Sequence, residues 1–390
     1  MTNESPTLSA NWSYPTNVRF GVGRIKELGK ACAAEGMKRP LLVTDPGLAN
    51  LPMIPEAIEN LTAAGLSGAV FSDVQGNPIS ANVTAGIEAY KSGNHDGIIA
   101  WGGGSAMDCA KVIALMIGQE RPMWDFEDIG SNWKQANPDG IATIIAVPTT
   151  SGTGSEVGRA GVITDERTHT KKIIFHPKLM PAVVICDPEL IAGLPANITA
   201  WTGMDALAHC LEAYCSPFYH PMGEGIAVEG LRLVKEWLPT AVADGSNLTA
   251  RAHMMSAAAM GAVAFQKGLG AIHSLSHPVG SIFNSHHGLT NAVFMPYVLK
   301  HNRSAIDDKL ARLARWLDIG NSFDDVQNWI IDLRTEFSIP HTAAELGVDG
   351  TRLDELAKMA AEDPTAGGNP VFVGEAEMRK MYDDSMSGKL

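Results

Sequence analysis

Basic charge is in short supply in this 390-residue chain: 30 lysines and arginines stand against 43 aspartates and glutamates, a net charge of −13. Phosphate backbones are bound by clustered cations, so nucleic acid is not an expected partner. Cysteine is scarce as well. The five present, Cys32, Cys109, Cys186, Cys210 and Cys215, are an odd number with no C-x-x-C pair. That is the usage of a reducing compartment, with most of them expected as small buried hydrophobes. No apolar run approaches the length of a membrane span, and the opening MTNESPTLSANW is polar with no hydrophobic signal core. These absences lead to the expectation of a cytoplasmic protein with no membrane partner.

With 45% hydrophobic residues, the chain can fill more than one core, and its length makes two domains the default. The first half alternates short β-rich runs (NVRFGVG, RPLLVTD, SGAVFSDV, DGIIAWGGG, ATIIAVP, VVICDPEL) with helical stretches. Such alternation predicts a parallel sheet covered by helices on both faces, with ligands at the carboxyl ends of the strands. After about Pro195, helical periodicity takes over and no strand is expected. The predicted architecture is therefore an α/β dinucleotide-binding domain over 1–195, followed by an all-helical metal-binding and catalytic domain over 196–390.

Three strand ends carry chemistry. In WGGGSAMDCAK, Gly103, Gly104 and Ser105 open a helix whose free amides and dipole suit a phosphate. In VPTTSGTGSE, Thr149, Thr150 and Thr153 offer hydroxyls and accessible amides, the composition of a second polar cofactor loop. Asp45 ends RPLLVTD, where a carboxylate accepts hydrogen bonds from a ribose diol and repels a 2′-phosphate. A turn before Pro46 and Gly47 would also favour aspartate there.

The segment from Gly203 to His287 is different in kind. If GMDALAHCLEAY and AIHSLSHPVG are helical, Asp205 and His209 share one face, and so do His273 and His277. His286 and His287 follow. One carboxylate and several imidazoles in an Ala/Gly/Leu background form a donor set for a divalent first-row metal, because unpaired polar groups there are costly to bury. Spacing alone does not say which of His273, His277, His286 and His287 stands outside the set. Cys210, next to His209, points about 100° away on a helix and is expected in the core.

Taken together, GGGSAMDCAK, VPTTSGTGSEV, CDPEL, GMDALAHCLEAY and HSLSHPVG…HHGLTNAVFMP resemble the iron-containing, or group III, alcohol dehydrogenases. The motifs occur in the family's order from about Asn11 to the end. The resemblance implies Asp205, His209, His273 and His287 as metal ligands, with His277 beside the nicotinamide as the candidate proton relay. It implies NAD contacts at Asp45, Gly103 to Ser105, Thr149 to Thr153 and Lys172. Iron(II) is the family's metal, and the same donors also suit zinc. Its members are dimers or larger assemblies, so a homo-oligomer is expected. The implied reaction is hydride transfer between NAD(H) and a small alcohol or aldehyde. The stretch AFQKGLGAIHSLSHP is similar to the 4-hydroxybutyrate dehydrogenase branch, which makes Lys267 and Arg159 candidate readers of a substrate carboxylate. A dehydroquinate-synthase-like cyclase on the related fold would need a basic phosphate site, and no such cluster lies near the ligands. A metal-free scaffold is disfavoured by the intact Asp/His set.

Overall fold

The structure, a computed structural model, describes residues 10–12, 15–168 and 170–390. The polar segment 1–9 lies outside them. The strands are β1 (Ala10–Trp12), β2 (Asn17–Phe20), β3 (Pro40–Val43), β4 (Ala69–Phe71), β5 (Gly97–Gly102), β6 (Ile144–Pro148), β7 (Ala160–Asp165), β8 (Thr170–Phe175) and β9 (Val183–Cys186). Helices α1 (Leu28–Ala34), α2 (Pro46–Ala49), α3 (Met53–Ala63), α4 (Ser80–Ser92) and α5 (Gly104–Met116) alternate with them. The remainder is helical: α6 (Ala196–Cys215), α7 (Pro221–Ala243), α8 (Leu248–Ala264), α9 (Ala271–Phe283), α10 (His287–Trp316), α11 (Phe323–Glu336), α12 (Leu353–Glu362) and α13 (Glu375–Ser387).

Seven strands form one sheet in the order β1-β2-β9-β6-β5-β3-β4, parallel except for β1. Every residue of β3, β5, β6 and β9 is buried, as expected of strands covered on both faces. The sheet order places β3, β5 and β6 side by side. Val43 pairs with Ala100 and Gly102 with Pro148, so the carboxyl ends of these three strands lie level. Asp45 and both polar loops therefore leave the sheet at one edge, as the alternation predicts.

Two features depart from the strict βα reading. β1 runs antiparallel to β2, and β7 and β8 form a separate antiparallel hairpin that packs on α9 of the helical half. The helical half is centred on α6, which packs against α7, α8 and α10. Glycines permit the close approaches. A Cβ on Gly261 of α8 would stand 3.0 Å from His209, and one on Gly288 of α10 would collide with the Trp201 carbonyl of α6. Cys210 is buried against Gly230 of α7, and burial pushes its thiol up to about 12, so it is an inert core residue. Among the described residues, no helix is long and apolar enough to cross a membrane.

Candidate active site

Both i, i+4 pairs lie on helices, Asp205 with His209 on α6 and His273 with His277 on α9, while His287 opens α10. Asp205, His209, His273 and His287 each offer one donor atom, and the four atoms lie within 4.8 Å of one another. Asp205 Oδ1 is 4.0 Å from His209 Nε2 and 3.6 Å from His287 Nε2. The rings of His209 and His273 stack at 4.8 Å. Three of the four residues are buried, and the His287 side chain is 27% exposed, which puts the open side of the cluster there. His286 turns away to pack on Trp201 at 5.0 Å and is not a member.

The surroundings prepare these groups as ligands. Burial pulls His209 down to about 4, outweighing Asp205, so its imidazole is neutral and has a lone pair to give. At His273 burial also opposes charge, but the Glu212 carboxylate outweighs it and raises the pKa. Glu212 Oε2 lies 2.5 Å from His273 Nδ1, which leaves Nε2 to face the cluster. Asn291 donates to Asp205 Oδ1 at 2.7 Å and fixes the carboxylate. Such a set, with its outer partners in place, fits a divalent cation such as iron(II) or zinc.

His277 stands just outside the cluster, its ring stacked on His287 at 5.5 Å. Its Nδ1 is 2.8 Å from Asp363 Oδ2, and Asp363 in turn accepts from Thr365 N at 2.9 Å and from the Thr365 hydroxyl at 2.5 Å. Burial works against the Asp363 charge, yet His277 and Thr365 together hold its pKa below the usual value. A cavity of about 430 Å³ opens onto His277, Lys171 and Asp363. A wider groove of about 900 Å³ lies elsewhere on the helical half and holds none of the four donors.

On the sheet side, Asp45 caps α2, with Oδ1 accepting from Gly47 N and Leu48 N at 2.9 and 3.0 Å. The glycine and threonine loops pack against each other. A Cβ on Gly103 would stand 3.2 Å from Thr150, and one on Gly104 would stand 2.6 Å from Thr153 Oγ1. Thr149 N donates to Gly102 O at 3.0 Å.

Three of the expected contact residues already have partners within the protein, and one of them, Lys172, also lines the cavity at His277. Lys172 is paired with Glu127 at 3.1 Å and Asp165 at 3.7 Å, above the Trp124 ring. Alternation along β8 gives Lys172 the same face as the buried Ile174, so the neighbouring Lys171 is the lysine that turns toward α9. Lys267 is buried in the wider groove, paired with Glu224 at 3.1 Å and donating to Tyr214 O, so its charge is already matched. Arg159 is exposed and stacked over Phe175 rather than turned into the cavity.

Glu212, Asn291 and Asp363 were not anticipated from the sequence. Glu212 continues the Asp205/His209 face at i+7, and Asn291 follows His287 at i+4, so helical spacing alone points to both. Asp363 arrives from 86 residues away, and no local pattern links it to His277.

Two family models cover nearly the whole chain: iron-containing alcohol dehydrogenase over residues 15–188, and the C-terminal part of the Fe-containing alcohol dehydrogenase family over 199–386. The chain is 39% identical to a 4-hydroxybutyrate dehydrogenase of Cupriavidus necator over 96% of its own length and 99% of that protein's. It is 36% identical to an NAD-dependent methanol dehydrogenase of Bacillus methanolicus, over 92% and 95% respectively. The crystal structure of a 1,3-propanediol oxidoreductase superposes with a TM-score of 0.90 at 34% identity, covering 97% of this chain and 99% of that one. The chain belongs to the iron-containing alcohol dehydrogenase family.

Proposed function

We propose that the chain moves a hydride between NAD(H) and a small primary alcohol or its aldehyde, with the cofactor on residues 1–195 and the metal on 196–390. The observation that carries this reading is that two of the four donors, Asp205 and His209, stand on α6, the helix against which the threonine loop also rests. A Cβ on Gly152 of that loop would stand 2.9 Å from Thr202, three residues before Asp205. When bound, a divalent ion supplies a Lewis acid for the alcohol oxygen and NAD supplies the hydride acceptor. Asp205, His209, His273 and His287 would hold the ion. Amides of the Gly103–Ser105 and Thr149–Thr153 loops bind the cofactor's phosphates, and Asp45 meets the ribose diol, which favours NAD over NADP. With Nδ1 tied to Asp363, His277 keeps Nε2 free to take up the proton released from the alcohol.

A short ω-hydroxy acid such as 4-hydroxybutyrate is the second reading, supported by the 39% identity to a dehydrogenase of that acid. Against it, Lys267 and Arg159 are engaged elsewhere, and the cavity at His277 is lined by Glu127, Asp128, Glu362 and Asp363 against Lys171 and Lys172. A cyclase of the dehydroquinate-synthase type has no basic phosphate seat in that cavity. The test is the initial rate of NADH formation by iron-reconstituted, anaerobic protein with 1-butanol and 4-hydroxybutyrate side by side. Faster turnover of butanol supports the alcohol reading; a strong preference for the acid replaces it with the second.

A further inference from the structure

Behind the two cofactor loops lies a buried polar cluster that the proposed reaction does not use. Lys111 sits two turns into α5, with none of its side chain exposed. Its Nζ donates to Ser155 O at 2.5 Å, Ser155 Oγ at 2.7 Å and Ala160 O at 3.1 Å. Asp108, one turn earlier, accepts from Ser155 Oγ at 2.6 Å and from Val162 N at 3.0 Å. Both α5 residues thus spend their hydrogen bonds on the exit of the threonine loop and on β7. Three acceptors saturate an ammonium and fix its direction, and the hydroxyl between the two charges is used both as donor and as acceptor.

Stability alone gives no reason for this arrangement, because well-packed apolar side chains replace a buried ion pair at little or no cost. Position gives one. The helix carrying Lys111 begins at Gly104 of the glycine loop, and Ser155 directly follows the threonine loop. That loop is wedged against the helical half: Gly152 meets Thr202 of α6, and Gly154, at φ +63°, abuts Ala258 and Ala262 of α8. We infer that Asp108, Lys111 and Ser155 form a positioning clamp that sets the spacing of the two cofactor loops and, through the threonine loop, their distance from the metal-bearing helix α6. The inference rests on the proposed reading that these loops hold NAD. A displacement of about 1 Å between reacting groups costs on the order of a hundredfold in rate, so such a clamp acts on kcat as well as on cofactor affinity.

The test uses the metal-loaded full-length enzyme as wild type, Ser155→Ala and Asp108→Asn/Lys111→Met. The double variant removes both charges of the pair and leaves the buried Glu156 without its neighbouring ammonium; Ser155→Ala, which keeps both charges, decides the matter if the double variant does not fold. NADH affinity is read by fluorescence titration, metal affinity by chelator competition, and KM for alcohol and kcat from initial rates. The clamp predicts NADH affinity weakened roughly threefold in Ser155→Ala and roughly tenfold or more in the double variant, with kcat falling alongside. Metal affinity and KM for alcohol should stay within about twofold, a split that general loosening would not produce. Unchanged NADH affinity and kcat in the folded variants overturns the inference, as does a parallel fall in metal affinity. Failure of wild type itself to bind NADH overturns the reading of the loops instead.

Discussion

Replacing Glu212 by Gln isolates the group that prepares His273 for a metal. Glu212 is 6% exposed and uses both oxygens: Oε2 on His273 Nδ1, and Oε1 on Ile272 N at 2.7 Å, one of the free amides in the first turn of α9. Gln brings one oxygen and one NH2 to a site that needs two acceptors. If its oxygen stays on Ile272 N, the NH2 forces His273 to accept at Nδ1 and carry its hydrogen on Nε2, the wrong tautomer for a ligand. If the amide turns over, NH2 meets N–H at Ile272 and the loss falls on the helix terminus instead. One unpaired buried donor costs about 1–3 kcal/mol, and loss of a ligand's outer partner weakens metal affinity about 10–100-fold. Chelator competition with zinc or cobalt measures the first outcome, and the melting temperature of the metal-free protein the second. Glu212→Gln should move at least one of the two, with metal affinity expected to take most of the loss. Wild-type values for both would refute the reasoning.

Three other perturbations follow from the same geometry. Asp363→Asn leaves His277 without its acceptor unless Thr365 loses its own, so turnover should fall about 10–100-fold at unchanged metal content, measured by initial rates and metal analysis. Lys171→Met should slow turnover about tenfold or more, while Lys172→Met removes a partly exposed pair with Glu127 worth about 0–1 kcal/mol and a pair with Asp165, which keeps Arg167 as a partner; equal kinetic effects would contradict the assignment of strand faces. Burial raises Glu156 to about 7 from an unfolded value of 4.5, so the native state binds this proton more tightly than the unfolded chain. That contribution to stability is present below about 4.5 and lost as pH rises through about 7. Glu156→Gln should therefore gain stability over wild type between pH 5 and 8, by at most about 3 kcal/mol and less where Lys111 offsets the charge, read by denaturant melts at each pH.

How much of this was legible in the sequence depended on how local the signal was. The i, i+4 spacing of Asp205/His209 and His273/His277 announced two helices whose faces meet, and the structure brings three of these residues together with His287. Glycines at the strand ends announced the loops, because only small residues allow Gly103 and Gly104 to lie against Thr150 and Thr153. Which of the paired lysines of β8 turns toward α9 was not legible, because adjacent strand residues face opposite ways, and parity with Ile174 becomes decisive only once the hairpin is known. Lys267 and Arg159 were legible as cations, but their partners were not, since Glu224 lies on α7 and Phe175 at the end of β8. Asp363 could not be read at all: its distance to His277 is set by how α12 and the segment after it fold back on α9.

The most direct test of the central claim is metal dependence measured on one preparation. The protein is stripped with chelator, checked for residual metal, and titrated anaerobically with iron(II) while NADH formation from 1-butanol is followed. The account predicts no rate without metal, a linear rise ending at one ion per chain, and a flat line for Asp205→Ala. Full activity in the stripped protein, or a rise in Asp205→Ala equal to wild type, would contradict it.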